Sequence, residues 1–371
     1  MTRRLLVIGA GAPWDGTRLA DRHLAEALAG RFEVLYVDPA RSFRDSRNDE
    51  RLSKVPGARV QRLRDGLWRL TPRVTPRSWY PGLRYGNEFS VRRALRRTVA
   101  QIGLPVAAVL SVKDVLLGVL DGTQAFWARD DYSAAASLTG ISKATLSRMQ
   151  QRAAERADLA IGVTPALCEK WEQLGVPARL IPNGVDPDLF ARPSERPADI
   201  PDETPLVGFA GTISARIDLG LLHSIVDRGL SLMLVGFPQR TMPQEEIHRL
   251  VERDGVHWLG HRTYEDLPAY LQAMDVGLVP YTDSAFNRAS FPLKTLEYLA
   301  SGVPVVATDL PAIGQLGTDL ISTADAGTFA DVVAQQVPLR HDPALVDQRQ
   351  NLARTHSWVS RASDIAAALG L

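Results

Sequence analysis

The chain has 371 residues, 45% hydrophobic and 23% charged, with a single cysteine, Cys168. Such a length and apolar content suffice for two buried cores, and the lone cysteine excludes an intramolecular disulfide framework and a Cys-rich zinc site. The formal net charge of +1 conceals an asymmetry: residues 59–97 hold eleven arginines against Asp65 and Glu88, a formal +9, which leaves −8 for the remainder. The N-terminal apolar run is too short for a signal-peptide core, and no run approaches the roughly 20 residues of a membrane span. The expectation is a cytoplasmic protein, with the basic segment as a means of peripheral contact at the inner face of the membrane.

In chain order, RLLVIGA reads as a strand, residues 16–29 as a helix, FEVLYVDP and ARVQRL as strands and residues 87–102 as a helix. VAAVLSV, QAFWARDD, helix 142–157, LAIGVTP, helix 166–174 and ARLIPNG continue the alternation. PLVGFAGT, LSLMLVG, VHWLG, VGLVPY, VPVVAT and LISTAD repeat it, each followed by a turn and a helical stretch. Short apolar strands alternating with helices predict an α/β fold of two Rossmann-like domains with mainly parallel sheets. The expected domains are 1–190 and 206–345, joined by the Pro-rich, charged linker 191–205, with 346–371 crossing back to the first domain. Since parallel sheets bind ligands at the carboxyl ends of their strands, the two domains are expected to face each other across a cleft that holds the active site.

The opening turn, Gly9-Ala-Gly11-Ala-Pro-Trp14, starts like a dinucleotide fingerprint. The third glycine of that pattern is needed for close helix packing, and here the position is Trp14, preceded by Pro13. The turn is therefore read as a wall for a second substrate, with Gly11, Trp14, Asp15 and Arg18 as acceptor-binding residues. His23, on the helix that follows, either joins them or takes a core or surface position. In the basic segment Trp68, Trp79, Tyr80, Tyr85 and Phe89 interleave with arginine. This mixture suits an anionic or lipid-linked acceptor and a membrane surface, or else is a solvated face; nucleic acid is not expected. Within helix 87–102, Val91, Leu95, Val99 and Ile102 share one face, and Arg92, Arg93, Arg96 and Arg97 are expected to point outward.

The stretch SAFNRASFPLKTLEYLASGVPVVATD, residues 284–309, carries the strongest chemical signal. Ser290 is expected to cap a helix with Pro292 in its first turn, so that the amides of Leu293 and its neighbours form an anion site. Lys294 lies in that turn, a cation opposed to the helix dipole that makes sense beside a bound anion. Glu297, one turn on, would accept hydrogen bonds from a ribose diol. The plain alternative is a Lys294–Glu297 pair on an exposed face.

SFPLKTLEYLASGVPVVAT resembles the donor-site motif of GT-B glycosyltransferases of family 4, and more closely the branch that includes teichuronic acid biosynthesis glycosyltransferases. ARLIPNGVDPDLF, VTPALCEKW, FAGTISARIDLGLL, VHWLGHRTYEDLPAYLQAMDVGLVPY and PWDGTRLADRHLAEAL extend the resemblance over nearly the whole chain. It implies a nucleotide-sugar donor, transfer to an acceptor hydroxyl with retention of anomeric configuration, and no resident cofactor. Glu297 matches the second Glu of the family's Glu-x7-Glu motif, implied to bind the donor ribose, whereas the first position is Ala289. Pro292 stands where the family often has Gly. Arg216 lies near the family's basic pair, whose lysine position reads Ile217, a loss that Lys294 would offset. Gly211, Ser290, Phe291 and Leu293 fall in the donor cradle, and His261 and Arg262 in the loop that contacts the base.

Asp130 or Asp131, after FWAR, would stand beside the transferred sugar; the alternative is that one of them caps the helix near Ser133. Cations at the donor site make a metal unnecessary, and His257, His261 and Cys168 lack ligand-like spacing. Two other readings remain: a non-hydrolysing nucleotide-sugar epimerase, and a non-catalytic nucleotide-binding protein of the same fold.

Overall fold

The computed structural model describes residues 3–42, 60–75, 81–239, 242 and 244–371. Arg59, Arg77, Trp79 and Tyr80 of the basic segment lie outside them. The chain forms two compact units, one of residues 1–136, 141–182 and 358–371, the other of 137–140 and 183–357.

The first unit is built on an eight-stranded sheet. Its strands are β1 (Leu5–Gly9), β2 (Glu33–Val37), β3 (Val60–Arg64), β4 (Leu67–Leu70), β5 (Val106–Ser111), β6 (Thr123–Ala128), β7 (Leu159–Gly162) and β8 (Ala178–Leu180). They lie in the order β8-β7-β6-β5-β1-β2-β4-β3. All five residues of β1 and of β2 are buried, as expected of parallel strands covered on both faces, which read as continuous apolar runs.

One strand here was not expected. ARVQRL is followed by a second strand, LWRL, which pairs parallel with β2 while β3 folds back antiparallel at the edge. Gly66 makes the turn at φ +74, with its absent Cβ facing the Ala29 carbonyl oxygen at 2.2 Å, so only glycine fits. A strand four residues long beside a tight turn offers too little alternation to read.

The basic helix spans Pro81–Ile102, starting earlier than expected. Val91 and Leu95 are buried as its inward face. Of its basic residues Arg92 departs from the outward expectation: it is half-buried and its Nε donates to the Val115 carbonyl at 3.2 Å, whereas Arg96 stays exposed while its Nε donates to the Val119 carbonyl at 3.3 Å. Arg93 and Arg97 are exposed.

The second unit carries six parallel strands: β9 (Leu206–Ala210), β10 (Ser231–Val235), β11 (Val256–Gly260), β12 (Val276–Val279), β13 (Val305–Thr308) and β14 (Ile321–Ala324). Their order is β11-β10-β9-β12-β13-β14. The chain enters this unit at Asn183, upstream of the expected linker. Segment 191–205 belongs to the unit: Gln272 Nε2 donates to the carbonyls of Phe190 and Arg192, and Gln272 Oε1 accepts from the Ser194 amide. Helix Pro343–Thr355 stays with the second unit, and Trp358–Ala368 belongs to the first.

Candidate functional site

In the second unit the loops after β9 and β12 and the helix Leu293–Ala300 bring together Lys294, Glu297, Arg216 and Gly211. The helix starts at Pro292 (φ −78, ψ 89), and no side chain caps it. This corrects the expectation for Ser290, which is the C-cap of the preceding helix Ala285–Ala289 and donates its hydroxyl to the Phe286 carbonyl at 2.9 Å. Pro292 likewise sits at the cap and not in the first turn. Ser290 and Phe291 are buried beneath the helix start. With no side chain in the way, the first amides of this eight-residue helix are the natural partners of an anion.

Lys294 passes directly over Gly211. A Cβ built on Gly211 would meet Lys294 Nζ at 2.3 Å and Cε at 2.4 Å, and the glycine holds φ +143. The ammonium lies 5.1 Å from the Phe209 ring centroid and 6.0 Å from that of Tyr281. The Arg216 guanidinium sits 4.7 Å from the Tyr281 centroid and 4.9 Å from that of Phe286. One ring, Tyr281, thus helps hold both cations, each such contact contributing about 0.5–2 kcal/mol. Burial alone would raise the Tyr281 pKa, but Lys294 and Arg216 outweigh it and the net shift is downward. Arg216 Nε also donates to Asn287 Oδ1 at 2.8 Å, while Asn287 Nδ2 donates to the Arg216 and Thr282 carbonyls. Asn287 is completely buried and fixes the arginine's loop.

Glu297 makes no hydrogen bond or ion pair to a described residue, so the Lys294–Glu297 pair of the plain alternative is not formed. Burial raises its pKa, and the nearby Lys294 charge only partly opposes that. A half-buried carboxylate without a partner gains from a ligand that supplies hydrogen bonds. Ala289 is buried. His261 is exposed, its ring 5.7 Å from that of Phe237. Arg262 is engaged elsewhere, in an ion pair with Asp199 and over the Tyr270 ring at 4.8 Å. Tyr281, Phe209 and Asn287 escaped the sequence reading; a ring that serves two cations from different segments leaves no spacing signal.

In the first unit the opening turn is occupied by the protein's own carboxylate. Asp21 Oδ2 accepts from the amides of Gly11 and Ala12 at 3.0 and 3.3 Å, and Asp21 Oδ1 pairs with Arg129 at 2.8 Å. The Gly-rich amides that a pyrophosphate would use are thereby satisfied internally. Trp14 packs edge-on against Tyr36 with its amide on Asp38, Asp15 pairs with Arg69 at 2.7 Å, and Arg18 pairs with Glu26. His23 is buried and stacked on Trp358 at 5.4 Å. Burial first, then Arg18 and Arg22, lower its pKa to about 3. This places His23 in the packing of the returning C-terminal helix, as the core alternative had it.

Of the two aspartates after β6, Asp131 is the cap. It accepts from the amides of Ser133 and Ala134 and pairs with Lys170 at 2.5 Å. Despite the opposing effect of burial, those bonds hold its pKa below the usual range. Asp130 is half-buried beside Arg129. Among the described residues no group of three or more His, Cys, Asp or Glu is placed to hold a metal ion, and no helix is long and apolar enough to cross a membrane.

Residues 205–337 match the family model described as Glycosyl transferases group 1, so the second unit carries a group 1 glycosyltransferase domain. The chain is 28% identical over 187 residues to TuaH of Bacillus subtilis, named as a teichuronic acid biosynthesis glycosyltransferase; the match covers 48% of this chain and 47% of TuaH, about half of each. Solved structures show the fold over the full length. Sucrose-phosphate synthase of Thermosynechococcus elongatus superposes with a TM-score of 0.73 at 20% identity, covering 99% of this chain and 98% of that one. Anabaena HepE in complex with UDP-glucose gives 0.68 at 16% identity and 99% of both chains. The α,α-trehalose-phosphate synthase of Burkholderia vietnamiensis gives 0.69 at 16% identity, covering 100% and 97%. The fold is that of the GT-B glycosyltransferases.

Proposed function

We propose that the chain is a glycosyltransferase that moves a sugar from a nucleoside diphosphate sugar to an acceptor hydroxyl. The observation that carries this reading is the uncapped helix start, with Lys294 laid over Gly211 and an unpartnered Glu297 one turn along. The HepE complexes with UDP and UDP-glucose, on the same fold, support a nucleotide-sugar donor. In the mechanism, cleavage of the anomeric bond leaves charge on the diphosphate. Lys294, Arg216 and the first amides of helix Leu293–Ala300 stabilise that charge where it develops, which is where preorganised donors accelerate most. Glu297 accepts from the ribose hydroxyls. The leaving phosphate takes the acceptor's proton on the same face, which retains the anomeric configuration. Asp130, half-buried beside Arg129, is assigned to the transferred sugar, and Asp131 to its cap and Lys170. No step requires a metal.

The test is thermal shift and calorimetry with UDP, GDP, dTDP, ADP and NAD on the native protein and on Glu297→Ala. A ligand at about 100 times its Kd adds about 2.7 kcal/mol to the folded state. Stabilisation by one nucleoside diphosphate, abolished in Glu297→Ala, is the expected result and names the base. Stabilisation by NAD alone overturns the reading.

The acceptor is met, in this reading, at an anionic membrane surface. On helix Pro81–Ile102, Tyr85 is 78% and Phe89 64% exposed, and Arg93 and Arg97 follow at four-residue intervals along the same face. Aromatic rings beside arginines suit the boundary between headgroups and acyl chains.

A further inference from the structure

The first unit holds an open cavity of about 470 Å3 at the carboxyl ends of β1, β2 and β5, flanked by helix Pro81–Ile102 and helix Lys143–Ala154. Its size is that of small-molecule sites, about 300–1,000 Å3. Val37, Val74, Val91, Leu116, Ile141 and Met149 give it apolar walls. The acids at its edge are already engaged. Asp38 accepts from Arg69 Nε at 2.8 Å, from Thr71 Oγ1 and from the Trp14 amide, and Asp114 accepts from Arg152 Nε at 2.8 Å. Glu88 lies beside Arg92.

Lys113 also lines the cavity, and its ammonium makes no hydrogen bond or ion pair to a described residue. Burial, reinforced by Arg129, lowers its pKa against the weaker opposing pull of Asp21 and Asp114. A lysine that lines an apolar cavity and pairs with no described carboxylate is available to an anion bound there.

We propose that this cavity takes the apolar body of the acceptor and that Lys113 binds a negative charge on it, so that the acceptor is an amphiphilic anion. The word acceptor rests on the glycosyl-transfer reading; the cavity and its unpaired lysine do not. The charge is a phosphate on an isoprenoid-like chain or a carboxylate on an aromatic ring, and the experiment separates the two.

Calorimetric titration of the full chain with geranyl phosphate and with 2-naphthoate, each against its uncharged counterpart geraniol or 2-naphthol, reads charge and apolar body separately. At least one anion should bind about tenfold or more tightly than its counterpart, a difference of about 1.4 kcal/mol. Lys113→Met should erase that preference while leaving the neutral probe bound, and Met149→Trp, which fills the cavity, should weaken both. Which anion binds identifies the acceptor class. An anion preference that survives Lys113→Met, probe binding untouched by Met149→Trp, or no binding of any of the four overturns the proposal. UDP thermal shifts on the same variants should equal that of the native protein. If UDP fails to stabilise the native protein while the probe pattern holds, the donor reading falls and the amphiphile site stands.

Discussion

Gly211→Ala separates two roles of one atom's absence. The methyl would sit 2.3 Å from Lys294 Nζ and 2.4 Å from Cε. Ordinary contact is near 3.4 Å, so the ammonium must retreat by about 1 Å, a misplacement that can cost on the order of 10²-fold in rate. A lysine tip moves cheaply, so the steric part adds little to the folding cost. The backbone part does add, because φ +143 is nearly confined to glycine, and such strain costs about 1–3 kcal/mol. The assay is kcat/KM for transfer or donor hydrolysis, beside guanidinium unfolding. The expected result is a loss of about 10²-fold in kcat/KM in protein that remains folded. Lys294→Ala should lose about 10²–10³-fold in kcat if the lysine stabilises the leaving charge. The double variant should then be no worse than Lys294→Ala alone, since both act through the same ammonium. Full additivity, or native kcat/KM in Gly211→Ala, would refute the placement of Lys294 as the charge-stabilising group.

Glu297 carries a pH signature. Its folded pKa lies above that of the unfolded chain, so its cost to stability is absent below the ordinary carboxylate range and complete above the raised value. Glu297→Gln should therefore raise the Tm of the ligand-free protein at neutral pH while weakening nucleotide binding. In the native protein, nucleotide affinity should fall as pH drops through that raised pKa; a flat calorimetric profile across the acid range counts against it. Asp21→Ala strips a fully buried partner from Arg129 and from the amides of Gly11 and Ala12. It should cost about 3–5 kcal/mol in chemical denaturation, and a loss below about 1 kcal/mol would show that the turn does not depend on it. Tyr85→Ser with Phe89→Ser should reduce co-sedimentation with phosphatidylserine vesicles by tenfold or more, since each apolar side chain contributes on the order of 1.5–3 kcal/mol when buried. Binding that high salt weakens but the double variant leaves intact would assign it to the arginines alone.

Much of the candidate site was legible because its chemistry is local. Lys294 and Glu297 lie three residues apart on one helix, so spacing alone puts them on adjacent turns. The cap was misread for a local reason too: Ser290 has two helices to serve, and the carbonyl of Phe286 one turn back competes with amides ahead. The opening turn misleads at a different level. Gly9-Ala-Gly11 promises free amides, and only the folding of the loop into the first turn of helix Ala20–Leu28 brings Asp21 to them, with Arg129 from the end of β6 meeting Asp21.

By itself the sequence determined the alternation of buried strands and amphipathic helices, and with it the doubly wound fold, because each element's apolar period is written in consecutive residues. It also placed the lysine and the glutamate on one helix start. The tertiary structure decided which groups stay unpaired. Tyr281 is shared between Lys294 and Arg216, Asp131 is taken by Lys170, and Lys113 is left without a partner beside an apolar cavity. These outcomes depend on strand order, which juxtaposes residues far apart in the chain, and no periodicity along one segment records what another segment will bring to meet it.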